Sequence, residues 1–177
     1  MKIVVGLLLI FLSSCQQKQE SKNFDNNSKS IQSDNLFILK VNISENLIKI
    51  IPPKNSNFEL LDNSTKIEPF KYGDFNADGK EDILVFLGAC GTGGCIYALF
   101  LNQYDNFYTL AFMDYLKNAE FRIEKNGLWT IKSSEELEPY NPFKLQISIF
   151  KFNKEKYEYK MDTTFVYHDK EGEKMNH

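Results

Sequence analysis

The sequence predicts a mainly β protein, with antiparallel sheets in a single domain and little helix. Three observations carry that prediction. Apolar and polar residues alternate along most of the chain after residue 35, as half-buried strands require. Phenylalanine and tyrosine are abundant, at 15 and 9 residues, and both favour strands. Turn-forming residues, with Asn126-Gly127 the strongest pair, interrupt the apolar runs at short intervals.

In chain order, LFILKVNI (36–43) reads as a strand. Ser44, Glu45 and Asn46 make a turn into the strand of ENLIKIIP. Pro52-Pro53 and Asn55-Ser56-Asn57 then break the chain. FELLD (58–62) and KIEPFKYGDF (66–75) read as strands, the second weakened by Pro69. ILVFLG (83–88) is apolar on both faces and predicts a central, covered strand. CIYALFLNQ (95–103) is another, and Asp105-Asn106 turns it into FYTLAFM (107–113). MDYLKNA (113–119) shifts period and predicts a short helix. FRIEKNGLWTIKS (121–133) is a hairpin about Asn126-Gly127. SSEELEPYNP (133–142) reads as a loop with a helical turn capped by Ser133 or Ser134. FKLQISIFKF (143–152) and YEYKMDTTFVY (157–167) form a final pair of strands, and residues 168–177 a charged, frayed tail. About ten strands result, with no internal repeat.

The domain is preceded by two segments of another kind. Lys2 and the apolar run 3–12 form a secretory signal, since a run of that length falls short of the roughly 20 residues a spanning helix needs. The run ends at Leu12-Ser13-Ser14-Cys15. This LSSC sequence resembles the lipobox of bacterial lipoproteins. The resemblance implies a signal peptide over 1–14 and acyl chains on Cys15. Several chains would hold the protein firmly, where a single one binds only marginally. It implies a lipid-anchored place on a bacterial cell envelope. Gln16 is not the aspartate of an inner-membrane retention signal, so the outer membrane is favoured in a Gram-negative source. Residues 16–34 are polar apart from Phe24 and Ile31 and read as a flexible tether. With Cys15 they form the second segment, 15–34. A coil of that length spans roughly 24 Å. The folded domain covers 35–167.

Composition narrows function. Without Lys2, 20 basic residues face 24 acidic ones, and Arg122 is the one arginine. A mildly acidic chain lacks the concentrated basic patch of a nucleic-acid binder. With Cys15 lipidated, Cys90 and Cys95 remain. In an oxidising compartment this close pair suggests a disulfide. Redox chemistry fits less well, because such sites use C-x-x-C at a helix start. Zinc fits less well too, because His168 and His177 lie near or in the tail.

The most distinctive stretch is DFNADGKED, residues 74–82, which spells D-x-N-x-D-G-x-x-D. Oxygen donors at alternate positions suit a hard cation such as calcium. Asp74, Asn76 and Asp78 would offer side-chain oxygens, Lys80 its carbonyl, and Asp82 the closing carboxylate. The loop resembles the calcium loops of the FG-GAP, integrin-α-like families, which join two strands with this pattern. Those families stack such loops into propellers. A single copy here implies the structural calcium site without a full propeller.

No nucleophile motif is present, and Glu135, Glu136 and Glu138 read as a solvated cluster. The sequence therefore points to an envelope-anchored, non-catalytic binding module, with an envelope protein or glycan as partner. Tyr140, Tyr157 and Tyr159 would serve as contact aromatics or as packing residues. An immunity-type inhibitor of a toxin or enzyme, and a carboxylate-dependent hydrolase, are the alternatives. A purely structural envelope component is a further one.

Overall fold

The computed structural model describes residues 35–59 and 65–175. The signal sequence, Cys15 and the tether lie outside the described residues, as does most of the expected strand 58–62. Ten strands and one short helix follow in order. They are β1 (Phe37–Asn42), β2 (Leu47–Ile51), β3 (Thr65–Gly73), β4 (Asp82–Gly91), β5 (Gly94–Tyr104), β6 (Phe107–Leu116), β7 (Glu120–Ile123), β8 (Trp129–Glu136), β9 (Lys144–Asn153), β10 (Glu158–His168) and α1 (Lys170–Met175).

Strands β1 to β6 pair antiparallel with their sequence neighbours and close into a barrel. The closing seam is short, with Phe37 opposite Tyr108 and Ile38 opposite Phe107. The other four strands form a second antiparallel sheet in the order β10-β9-β8-β7. The architecture is mainly β and is not a propeller.

The alternation of side chains explains the arrangement. Ile83 and Val85 of β4 point into the barrel with Ala98 and Phe100 of β5. Their neighbours Leu84, Leu99 and Leu101 point outward and are covered by Ile131, Phe150 and Tyr159 of the second sheet. Every one of these β4 and β5 residues is fully buried. ILVFL is apolar on both faces because one face fills the barrel and the other supports the sheet. Each such side chain contributes about 1.5 to 3 kcal/mol on burial.

Four segments differ from the sequence reading. Phe58 is buried but belongs to no strand; its ring meets Phe37 edge-on at 5.2 Å inside the barrel. An aromatic anchor in an irregular connection carries the same apolar signal as a strand. Residues 113–116 continue β6 where a helix was expected, because Asp114 pairs with Tyr97 and Leu116 with Cys95. Partners on β5 override a weak local helix preference. Ser133 and Ser134 belong to β8, opposite Ser148 and Ile147. The Ser133 hydroxyl bonds Lys117 instead of capping a helix. The charged tail carries α1, where the Gly172 N–H donates to the Asp169 carboxylate in a capping contact.

Candidate functional site

The acidic loop joins β3 to β4, so it lies between two barrel strands as the sequence reading expects. Its four side-chain donors are occupied in two layers.

The outer layer is the turn itself. The Asp74 carboxylate accepts from the N–H groups of Asp78 and Gly79, both at 2.9 Å. Asn76 Oδ1 accepts from the Asp78 N–H at 3.2 Å, and Asp78 Oδ1 from the Lys80 N–H at 2.9 Å. Short polar side chains bonding backbone a few residues ahead close the loop on itself. Gly79 has φ +85°, the conformation in which a Cβ is costly. Ala77 takes the same left-handed region at φ 57° despite having a Cβ. The surrounding bonds hold that strain, which is on the order of 1 kcal/mol.

The inner layer is Asp82, which is fully buried. Its Oδ2 accepts from the Phe75 N–H at 2.8 Å and its Oδ1 from the Asn102 N–H at 2.9 Å. One carboxylate thus ties the loop to β4 and to β5. Burial pushes its pKa up to about 7; the two N–H bonds oppose that rise, and the charges of Asp78 and Asp74 add to it. Asp78 differs. Burial works to raise it, but bonds from Asn76, Tyr157 and Lys80 hold it below the usual carboxylate range. The Lys80 ammonium stands 3.9 Å from Asp78.

The second sheet clamps the loop from above. The Tyr157 hydroxyl donates to Asp78 at 2.8 Å and accepts from Asn76 Nδ2 at 2.9 Å. The Tyr159 hydroxyl donates to the Phe75 carbonyl at 2.7 Å. The Trp129 N–H reaches the same carbonyl at 3.1 Å, and the rings of Phe75 and Trp129 lie 4.6 Å apart. The sequence left two roles open for Tyr140, Tyr157 and Tyr159. Tyr159 is a core residue and Tyr157 a half-buried clamp, so neither is a free contact aromatic. Tyr140 alone of the three is fully exposed. Nothing near DFNADGKED in the sequence points to tyrosines some 80 residues away.

The donor set is all oxygen and therefore matches a hard cation. A carboxylate has about four acceptor positions. The bonds to Asp74 use two of them, so capacity remains. As the loop stands, no group of three or more His, Cys, Asp or Glu side chains among the described residues is arranged to hold a metal ion. The carboxylates are turned toward backbone N–H groups instead.

At the far end of β4, Cys90 and Cys95 form a disulfide, with Cα atoms 4.1 Å apart. It brackets the hairpin in which Gly91 faces Gly94. A Cβ on Gly94 would sit 2.5 Å from the Leu116 carbonyl oxygen, so the tip packs directly on the end of β6.

The glutamate cluster is drawn apart by lysines. Glu135 pairs with Lys117 at 2.6 Å and Glu138 with Lys144 at 2.5 Å. Compared with protein-family models, curated proteins and solved structures, the chain finds no match in any of the three.

Proposed function

We propose that this chain is a lipid-anchored envelope protein whose domain works as a non-catalytic binding module, with structural calcium in the loop 74–82. The observation that supports it most is the occupation of the loop. Asp74 closes the turn, Asp82 ties the loop to the barrel, and Asn76 and Asp78 bond Tyr157 beside the second sheet. A carboxylate that fixes backbone N–H groups is suited to architecture, and a cation there would neutralise the charge that Asp74 and Asp78 press onto Asp82. Asp74, Asn76 and Asp78 would hold the ion with the Lys80 carbonyl, and Asp82 would close the set. Extracellular sites of this kind bind in the range of about 10⁻⁴ to 10⁻³ M, which suits a permanently present ion. The LSSC sequence and the polar segment after it supply the anchor and the reach.

The test uses the lipid-free chain with its disulfide intact. Calorimetric titration with calcium should give one site, and Asp78→Ala should abolish it. Immobilised chain should then retain a saturable envelope component in calcium and lose it in chelator. Absence of heat with calcium removes the metal from this reading. Turnover of a substrate removes the binding module.

A further inference from the structure

We infer that the pocket between the β7–β8 hairpin and β9 binds a short neutral oligosaccharide, with Trp129 as its platform. This site deepens the binding-module reading and rests on it.

The first observation is an aromatic wall. The pocket has a volume of about 450 Å³, within the roughly 300–1,000 Å³ of small-molecule sites. Leu128, Trp129 and Phe152 give it an apolar side. Trp129 is the single tryptophan of the chain and is half-buried. Fully buried Phe75 backs its ring, with centroids 4.6 Å apart, and the Trp129 backbone N–H donates to the Phe75 carbonyl at 3.1 Å. The ring is therefore placed before any ligand arrives, which lowers the ordering cost of binding. A sugar ring carries weakly positive C–H groups on one face, and these suit the negative face of an indole.

The second observation is the rim. Glu124, Lys125 and Asn126 stand around that aromatic side. The Thr130 hydroxyl donates to Glu124 Oε1 at 2.9 Å. A carboxylate has about four acceptor positions, so capacity remains. Asn126 Oδ1 accepts from the Leu128 N–H at 3.1 Å, and its amide N–H groups are donors beside it. Among the described residues the Lys125 ammonium has no ion-pair partner. Acceptors and donors thus alternate over a few residues. A hydroxyl group is both donor and acceptor, so a ligand bearing several of them answers either kind.

The third observation is balance, and it selects the occupant. Lys125 and Lys151 line the pocket with Glu124, and Lys151 is paired with Asp162 at 2.7 Å. Two positive and two negative side chains therefore share this region. A ligand with net charge of either sign would meet a like charge beside each opposite one. Backbone recognition is closed as well. β8 and β9 are interior strands of the order β10-β9-β8-β7, and Thr130 faces Lys151 across their ladder. An added peptide strand has no free edge to join at these two strands. Side chains alone must read the ligand, which favours an uncharged molecule carrying its own hydroxyls on an apolar ring face.

The experiment follows Trp129 emission in the lipid-free chain 16–177, disulfide intact, during titration with soluble oligosaccharides of two to four units. Hexose and N-acetylhexosamine oligomers form the neutral arm; uronic-acid and amino-sugar oligomers form the two charged arms. At least one neutral oligomer should shift the emission saturably, and amide NMR signals of residues 124–130 should move with it. Glu124→Ala with Lys125→Ala should weaken that binding about tenfold. Both side chains are exposed, so the variant should unfold at the temperature of the parent. No response to any neutral oligomer, tighter binding of a charged one, or equal binding by the double variant overturns the proposal. Should the chain retain a calcium-dependent envelope protein while no sugar binds, the pocket fails and the binding module stands.

Discussion

The two ends of β4 are fixed in opposite ways. At its start, Asp82 is buried and holds backbone from two other segments, while Tyr157 of the β9–β10 turn and Tyr159 of β10 close over the loop. At its end, Cys90 and Cys95 are joined by a covalent bond across a hairpin that is exposed at Gly91, Thr92 and Gly93. The first fastening is non-covalent and long-range; one of its bonds joins residues 81 apart. The second is local and spans five positions. A local cross-link acts mainly by restricting the unfolded chain. A buried polar hub acts in the folded state, because leaving its partners unpaired is costly. Covalency is therefore a poor guide to which end matters more.

Asp82→Ala is the sharpest way to break that contrast. It strands two backbone N–H groups and should cost about 4 kcal/mol, read as a lower denaturant midpoint at constant slope. Joint replacement of Cys90 and Cys95 by serine should cost about 2 kcal/mol, the value for a closed loop of roughly six residues. If the disulfide loss proves the larger, the ranking of the two ends is wrong. The two sites are separated by roughly 25 Å along the strand, so the combined variant should be additive within about 0.5 kcal/mol.

Smaller changes probe the clamp. Tyr159→Phe should cost about 1 kcal/mol, since the Phe75 carbonyl keeps the Trp129 N–H as a partner. Calcium at a few times its dissociation constant should stabilise the chain by about 1 kcal/mol over chelator, seen as a rise in melting temperature. The smallest effect is alkaline. Burial, then the Asp82 charge, raises the Tyr159 hydroxyl above its ordinary value of 10.0. The folded state thus favours the neutral phenol. Its contribution is complete below pH 10 and declines as pH rises beyond it, because the unfolded chain ionises first. Absorbance titration at alkaline pH should show a tyrosine step that accompanies unfolding and that Tyr159→Phe reduces.

Much of the fold was legible because alternation reports burial directly. ILVFLG announced a covered strand, and Asn126-Gly127 a hairpin, each from local residues alone. Barrel closure was not legible. It rests on Phe37 meeting Tyr108 and Ile38 meeting Phe107, pairs with no local signature. The same limit applies to the site. D-x-N-x-D-G-x-x-D was read as a ligand set for a cation, its side-chain bonds to backbone N–H groups were not, and the loop falls between two strands as expected. Tyr157 and Tyr159 could be read either as contact aromatics or as packing residues, because alternation in YEYK shows which residues share a face, not what covers it. Residues 113–116 misled for a related reason: local preference is weak, and a neighbouring strand decides.

The seam of the barrel has a mechanical consequence. Any tension transmitted through the chain ahead of Leu36 arrives first at Phe37 and Ile38, and those two residues are also the whole of the pairing between β1 and β6. The β1–β2 ladder behind them is five pairs long. Load applied at this point meets a ladder of two pairs first. A chain pulled from its N-terminal side should therefore yield by unzipping one seam, while β4, held at both ends, remains in place.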